Sequence, residues 1–262
     1  MAETSIEWTE KTWNPVTGCD RISAGCDNCY ALAMARRLKA MGAAKYQNDG
    51  DPRTSGPGFS VTTHPDVLTQ PMRWRHPCTV FVNSMSDLFH ARVPVDFIAR
   101  VFEVMATTPR HTYQVLTKRA ARLAQVAAEL PWPPNVWMGV SVEDARQLHR
   151  VEHLRRVPAA VRFISAEPLL GPLPSLDLTG INWLIIGGES GPSARQMKTD
   201  WTLDLIDRAG DAGTAVFVKQ LGSVWARSNG TDGKGGDWSL WPEDLRIRQY
   251  PTPRADAVTV DA

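Results

Sequence analysis

The chain has 262 residues, 43% hydrophobic and 22% charged, with 29 Lys and Arg against 28 Asp and Glu for a formal charge of +1. At about 150 residues per domain this is roughly 1.7 domains, room for two small domains or one α/β barrel, and the composition excludes a wholly disordered chain. The balanced charge excludes the overall basic field of a nonspecific duplex binder, so any nucleic-acid contact must rest on a local patch.

The opening residues, MAETSIEWTEKTWNP, hold no basic segment followed by an apolar one, and no apolar run approaches ~18 residues. The expectation is a soluble, cytoplasmic protein without a membrane span. A first strand is expected around Trp8–Thr17, and a helix over Ala31–Met41. The polar, Gly- and Pro-rich stretch Tyr46–Gly58 reads as a loop inserted over about residues 46–60. Beyond it, β-branched runs alternate with amphipathic ones. Strands are expected at Thr79–Asn83, Thr112–Thr117, Val136–Val142, Val161–Ser165, Trp183–Ile186 and Ala215–Lys219. Helices are expected at Val95–Thr107, Arg119–Leu130, Asp144–Arg156 and Trp201–Ala212. Such alternation predicts right-handed βαβ units and a parallel sheet. The expected fold is α/β, a parallel (β/α) barrel, partial or irregular, of about six or seven strands; an open doubly wound sheet fits the same pattern. One domain is expected over residues 1–222, with an irregular extension over 223–262 and a frayed tail from about 252.

Polar clusters end the strands. They are Asn83-Ser84-Met85-Ser86-Asp87, Thr117-Lys118-Arg119, Ser141-Val142-Glu143, Ser165-Ala166-Glu167, Gly187-Gly188-Glu189-Ser190-Gly191 and Lys219-Gln220. In parallel α/β folds reactive groups gather at the carboxyl ends of strands. Ser, Asp and Glu there also cap the helices that follow, but caps require neither lysines nor three carboxylates. The glycines at 187, 188 and 191 would let backbone approach a ligand, although GGxxG is not the dinucleotide fingerprint. Helix Asp144–Arg156 carries Arg146, Arg150, Arg155 and Arg156, expected to form a solvated basic face.

Three of the four cysteines, Cys19, Cys26 and Cys29, form a C-x6-C-x2-C run flanked by Gly18 and Gly25. Three thiolates on one turn can converge on a soft metal or an iron–sulfur cluster. A structural zinc site wants four ligands; no His or fourth Cys lies near in sequence, although His64, Cys78 or His90 could supply one in space. Cys78 precedes a strand, so it is expected at the amino end of a barrel as a small buried hydrophobe.

Three cysteines on a loop after a first strand, followed by repeated βα units, resemble the radical S-adenosylmethionine enzymes. More closely, the chain resembles a phage-associated three-cysteine family distantly similar to spore photoproduct lyase. The match runs through TWNPVTGC…GCDNCYA, FVNSMSDLFH, the TK pair, VWMGVSVE, ISAEPLLGP, LIIGGESGPSAR and FVKQLG, residues 12 to 222. The resemblance implies a [4Fe–4S] cluster on Cys19, Cys26 and Cys29, with S-adenosylmethionine on its open iron. It puts Asn83, Ser84 and Asp87 near the methionine moiety and Ser141 and Glu143 near the ribose. Among the strand-end groups, Gly187, Gly188, Glu189 and Ser190 are further expected cofactor contacts, and Lys118, Glu167 and Lys219 are the candidate catalytic residues. The chain departs from most radical S-adenosylmethionine enzymes, whose cysteines follow C-x3-C-x2-C and whose GGE follows the second strand rather than the sixth.

Three functions stay open on the sequence. The first is radical chemistry on a nucleotide or nucleic-acid substrate held by Lys118, Lys219 and Arg195. The second is an iron–sulfur or zinc module serving recognition of a partner protein or nucleic acid. A zinc hydrolase or deaminase comes last, because no His-x-Glu precedes Cys26-x-x-Cys29.

Overall fold

The computed structural model describes residue 4, residues 6–231 and residues 233–252; the frayed tail expected beyond them lies outside the described residues. Strand β1 (Lys11–Trp13) is followed by a short antiparallel pair, β2 (Val16–Thr17) with β3 (Thr62–Thr63). Between these two runs helix α1 (Tyr30–Ala40). The remaining strands are β4 (Thr79–Val82), β5 (Thr112–Thr117), β6 (Val136–Ser141), β7 (Val161–Ala166), β8 (Trp183–Gly187) and β9 (Ala215–Gln220). The helices among them are α2 (Val95–Ala106), α3 (Ala120–Val126), α4 (His149–Arg155) and α5 (Thr199–Ala212), and α6 (Ser223–Asn229) follows the last strand.

One seven-stranded sheet runs β1-β4-β5-β6-β7-β8-β9, every neighbouring pair parallel. The spatial order never reverses, so right-handed crossovers leave their connections on one face and the sheet curls into a half-barrel. This excludes the doubly wound alternative, whose strand order reverses midway.

Side-chain alternation sorts the two faces. Val136, Met138 and Val140 of β6, Leu184 and Ile186 of β8, and Val216 and Val218 of β9 join the helices in the larger core. Trp137, Trp183, Ile185 and Phe217, on the opposite face, build a second core with Trp8, Phe81, Val161 and Phe163. Trp183 stands at its centre, edge-on to Trp8, Trp137 and Phe217 at centroid distances of 6.0–6.2 Å. Trp183, Trp137 and Val161 begin or nearly begin their strands, so aromatic packing plugs the amino end. The carboxyl end is left to polar groups.

Two connections depart from the expected pattern. No helix joins β7 to β8; Pro168, Pro172 and Pro174 interrupt the segment, and Leu169, Leu173, Leu176, Leu178 and Ile181 take a helix's place on the core. The extension from residue 223 opens with α6 rather than irregular chain, and its far end pairs antiparallel along the free edge of β9. There Val218 donates to the Ile247 carbonyl and Gln249 to the Val216 carbonyl, which closes an edge that would otherwise offer unpaired backbone. Among the described residues no helix is long and apolar enough to cross a membrane.

Candidate functional site at the half-barrel mouth

The cysteine loop lies across the carboxyl ends of the strands. At β4, the Tyr30 hydroxyl donates to the Ser84 carbonyl. At β5, Arg119 donates from Nη1 to Cys19 Sγ at 3.2 Å and from Nη2 to the Asp20 carbonyl at 2.9 Å. At β6, Ser23 Oγ donates to Glu143 Oε1 at 2.8 Å. Beyond β8, Asn28 Nδ2 donates to Glu189 Oε2 at 3.0 Å, and Arg195 Nη2 reaches the Ala24 carbonyl at 2.8 Å. Gly25 sits so close to Glu143 that a Cβ there would stand 2.4 Å from its Cγ. A side chain at 25 would lift the loop.

The inserted loop clamps the same segment from outside. Asp20 Oδ1 accepts from Thr54 Oγ1 at 2.7 Å and Ser55 Oγ at 3.2 Å, while Arg21 donates its amide to the Thr54 carbonyl. Phe59 packs with Ala31, Ala35 and Met85 under the sulfur-bearing turn, against which Cys19 and Cys29 rest. Residues 46–60 therefore support the cysteines.

Ion pairs ring the mouth. Glu143, fully buried, is held by Lys118 at 3.1 Å and Arg150 at 2.9 Å. Arg150 is itself buried, a correction to the solvated basic face expected of its helix; its guanidinium also donates to the Ser141 carbonyl at 2.8 Å. Burial works against both charges. The Glu143 carboxyl is nonetheless held below its ordinary range by Lys118 and Arg150, and Lys118 is raised in return. Lys219 pairs with Glu167 at 2.6 Å. Glu189 accepts from the Arg195 amide at 2.8 Å and its Nε at 2.9 Å; against the opposing effect of burial, these bonds hold its carboxyl below the usual range.

Asp87 is fully engaged. Its carboxylate accepts from Thr117 Oγ1 at 2.7 Å, the Lys118 and Phe89 amides at 3.0 Å each, and Arg119 at 3.1 Å. Asn83, buried with a positive φ of 62°, accepts from the Val16 amide at 3.2 Å, and its Nδ2 is buried with no partner. Ser84 Oγ exchanges hydrogen bonds with Asn14 at 3.2 Å. Gly188 approaches the chain's own β9–α6 turn, where a Cβ would stand 2.4 Å from the Leu221 carbonyl oxygen, and Ser190 is exposed. Gly188 thus serves the packing of this turn, while Gly187 faces the Glu167 side chain and Gly191 has open space beside it.

The structure brings all three cysteines onto one loop over this rim, each half-buried and unpaired. Burial pushes the Cys19 thiol up to about 12, aided by Asp87 and opposed by Arg119, and burial also raises Cys29. Among the described residues no three His, Cys, Asp or Glu side chains are gathered on one point as a single ion requires. Cys78 sits at the amino end, buried, its sulfur 3.3 Å from His111 Nδ1. His64 Nε2 bonds Thr17 Oγ1 at 2.8 Å, and His90 Nε2 bonds Asp20 Oδ2 at 3.0 Å.

Sequence reasoning missed Ser23, Asn28 and Arg119 as partners of the rim. Arg119 carried a signal, since it follows Thr117 and Lys118 at a strand end; Ser23 and Asn28 looked like ordinary turn residues. A family model described as a protein of unknown function, DUF5131, matches residues 3–245. No curated protein and no solved structure matches the chain.

Proposed function

The chain belongs to the DUF5131 family, and we propose that it is an iron–sulfur protein binding a [4Fe–4S] cluster through Cys19, Cys26 and Cys29, a radical S-adenosylmethionine-type enzyme acting on a nucleotide or nucleic-acid-like substrate. The observation that carries this reading is the seating of a three-cysteine loop on the carboxyl rim of a sequentially wound parallel half-barrel, with the Arg119 guanidinium on Cys19. The donor set fits the group. A cluster takes each thiolate on a different iron, so its cysteines need not meet at one point as the ligands of one zinc ion must. Arg119 and Lys118 favour the thiolates that ligation requires, against the burial that raises Cys19 and Cys29. The unpartnered Nδ2 of Asn83 leaves a buried donor for a carboxylate such as that of the cofactor's methionine moiety.

When bound, the cluster would supply one electron to the sulfonium of S-adenosylmethionine, cleaving it reductively to methionine and a 5′-deoxyadenosyl radical. The chain's own part is positioning and exclusion of water. Ser23, Asn28, Arg119 and Arg195 pin the loop to the rim, and the Lys118–Glu143–Arg150 group fills its underside. Lys219 and Glu167 face each other across the last strands and would exchange their mutual pair for an anionic substrate group.

One observation favours a second reading, cluster binding without radical chemistry. Asp87, Glu143 and Glu189 are already spent on internal cations and amides, so contacts to S-adenosylmethionine would have to displace them. The experiment that separates the two uses anaerobically reconstituted, dithionite-reduced protein incubated with S-adenosylmethionine. Release of 5′-deoxyadenosine is expected, abolished in Cys26→Ala and retained in Cys78→Ala. An intact cluster that never releases it supports the second reading, and loss of iron in both variants overturns the assignment of ligands.

A further inference from the structure

Resting on the cluster-binding reading above, we propose that Arg119 sets the reduction potential of the group held by Cys19, Cys26 and Cys29, with Asp87 as its electrostatic counterweight. Arg119 shares one guanidinium nitrogen between Cys19 Sγ at 3.2 Å and Asp87 Oδ2 at 3.1 Å, and fixes the other on the Asp20 carbonyl. Both side chains are largely withdrawn from water, Arg119 at 12% exposure and Asp87 at 7%. Their charges therefore act at short range with little screening. Asp87 is itself immobilised by Thr117 and the Lys118 and Phe89 amides, so the guanidinium is held toward the sulfur by a rigid frame.

The step concerned is a one-electron reduction. One electron from an external reductant such as dithionite enters the cluster, and no bond or proton is exchanged with the chain. The added negative charge lies beside a fixed cation and an N–H donor to a ligand sulfur, and both stabilise the reduced form. Arg119 therefore raises the potential and makes the reduced state accessible. Asp87 acts with the opposite sign. Its carboxylate accepts from the same guanidinium nitrogen that reaches Cys19 and offsets part of that positive charge. A structural role alone predicts no such opposition.

The test is a redox titration, followed by optical absorbance and electron paramagnetic resonance, of reconstituted wild type, Arg119→Met, Arg119→Lys and Asp87→Asn, with iron counted on every sample. The expected result is a lower midpoint potential in Arg119→Met, an intermediate one in Arg119→Lys and a higher one in Asp87→Asn. If Arg119→Met fails to retain iron, the opposed shifts of the Lys and Asn variants decide. Iron-replete variants that all titrate with wild type, or that all shift the same way, overturn the proposal while leaving cluster binding intact. Wild type that takes up no iron overturns the cluster reading itself and this inference with it.

Discussion

At the residue scale, the rim is governed by what buried charges cost when left alone. Glu143 has no contact with solvent and faces two cations and a hydroxyl. Removing its charge strands Lys118 and Arg150, a type of change that costs about 3–5 kcal/mol. Glu143→Gln is expected to lower stability by that order in urea unfolding at pH 7; a loss below about 1 kcal/mol would contradict the pairing. The pH dependence has a definite sign. Glu143 and Glu189 titrate below their unfolded values, so their contribution is complete above the ordinary carboxylate range of about 4 and is lost as pH falls through the folded values. Wild type should therefore weaken on acidification, and Glu143→Gln should lose less stability between about pH 6 and pH 3. Strand-end carboxylates and lysines were legible in the sequence because the carboxyl rim of a parallel sheet is where such groups collect. Their partners were not. Arg150 belongs to a helix whose charges alternate like a solvated face, and only the fold turns it inward.

At the element scale, most strands and helices announced themselves. The runs over Thr112–Thr117 and Val95–Ala106 keep their expected character because hydrophobic period and length agree there. The β7–β8 connection forms no helix for a physical reason, its prolines, and α6 was hidden because it is only seven residues long and starts directly after the Gly222 turn. The spacing of the three cysteines was legible in the sequence but the seat of their loop was not, since it depends on Gly25 passing against Glu143. Gly25→Val should displace the loop and expose Cys19 and Cys29, half-buried in the wild type. Faster reaction of these thiols with a soluble disulfide reagent is expected, with Cys78 unchanged. Equal rates in both proteins would show that the close approach does not hold the loop.

At the scale of the whole molecule, a half-barrel must protect its two open edges and close its two ends. The segment over residues 247–249 covers the β9 edge, and Trp241, fully buried, anchors the chain before it. Deleting residues 246–262 should expose that edge and yield oligomers in size-exclusion chromatography; a monomer of unchanged stability would contradict this role. Closing the amino end with Trp8, Trp137 and Trp183 leaves the carboxyl end to polar groups, and there the chain sets three cysteines among paired charges. The central claim is that those cysteines hold an iron–sulfur cluster. Its most direct test is the iron and acid-labile sulfide content of wild-type protein reconstituted without oxygen. Close to four of each per chain is the predicted result; colourless protein carrying one zinc ion per chain and no sulfide would contradict it.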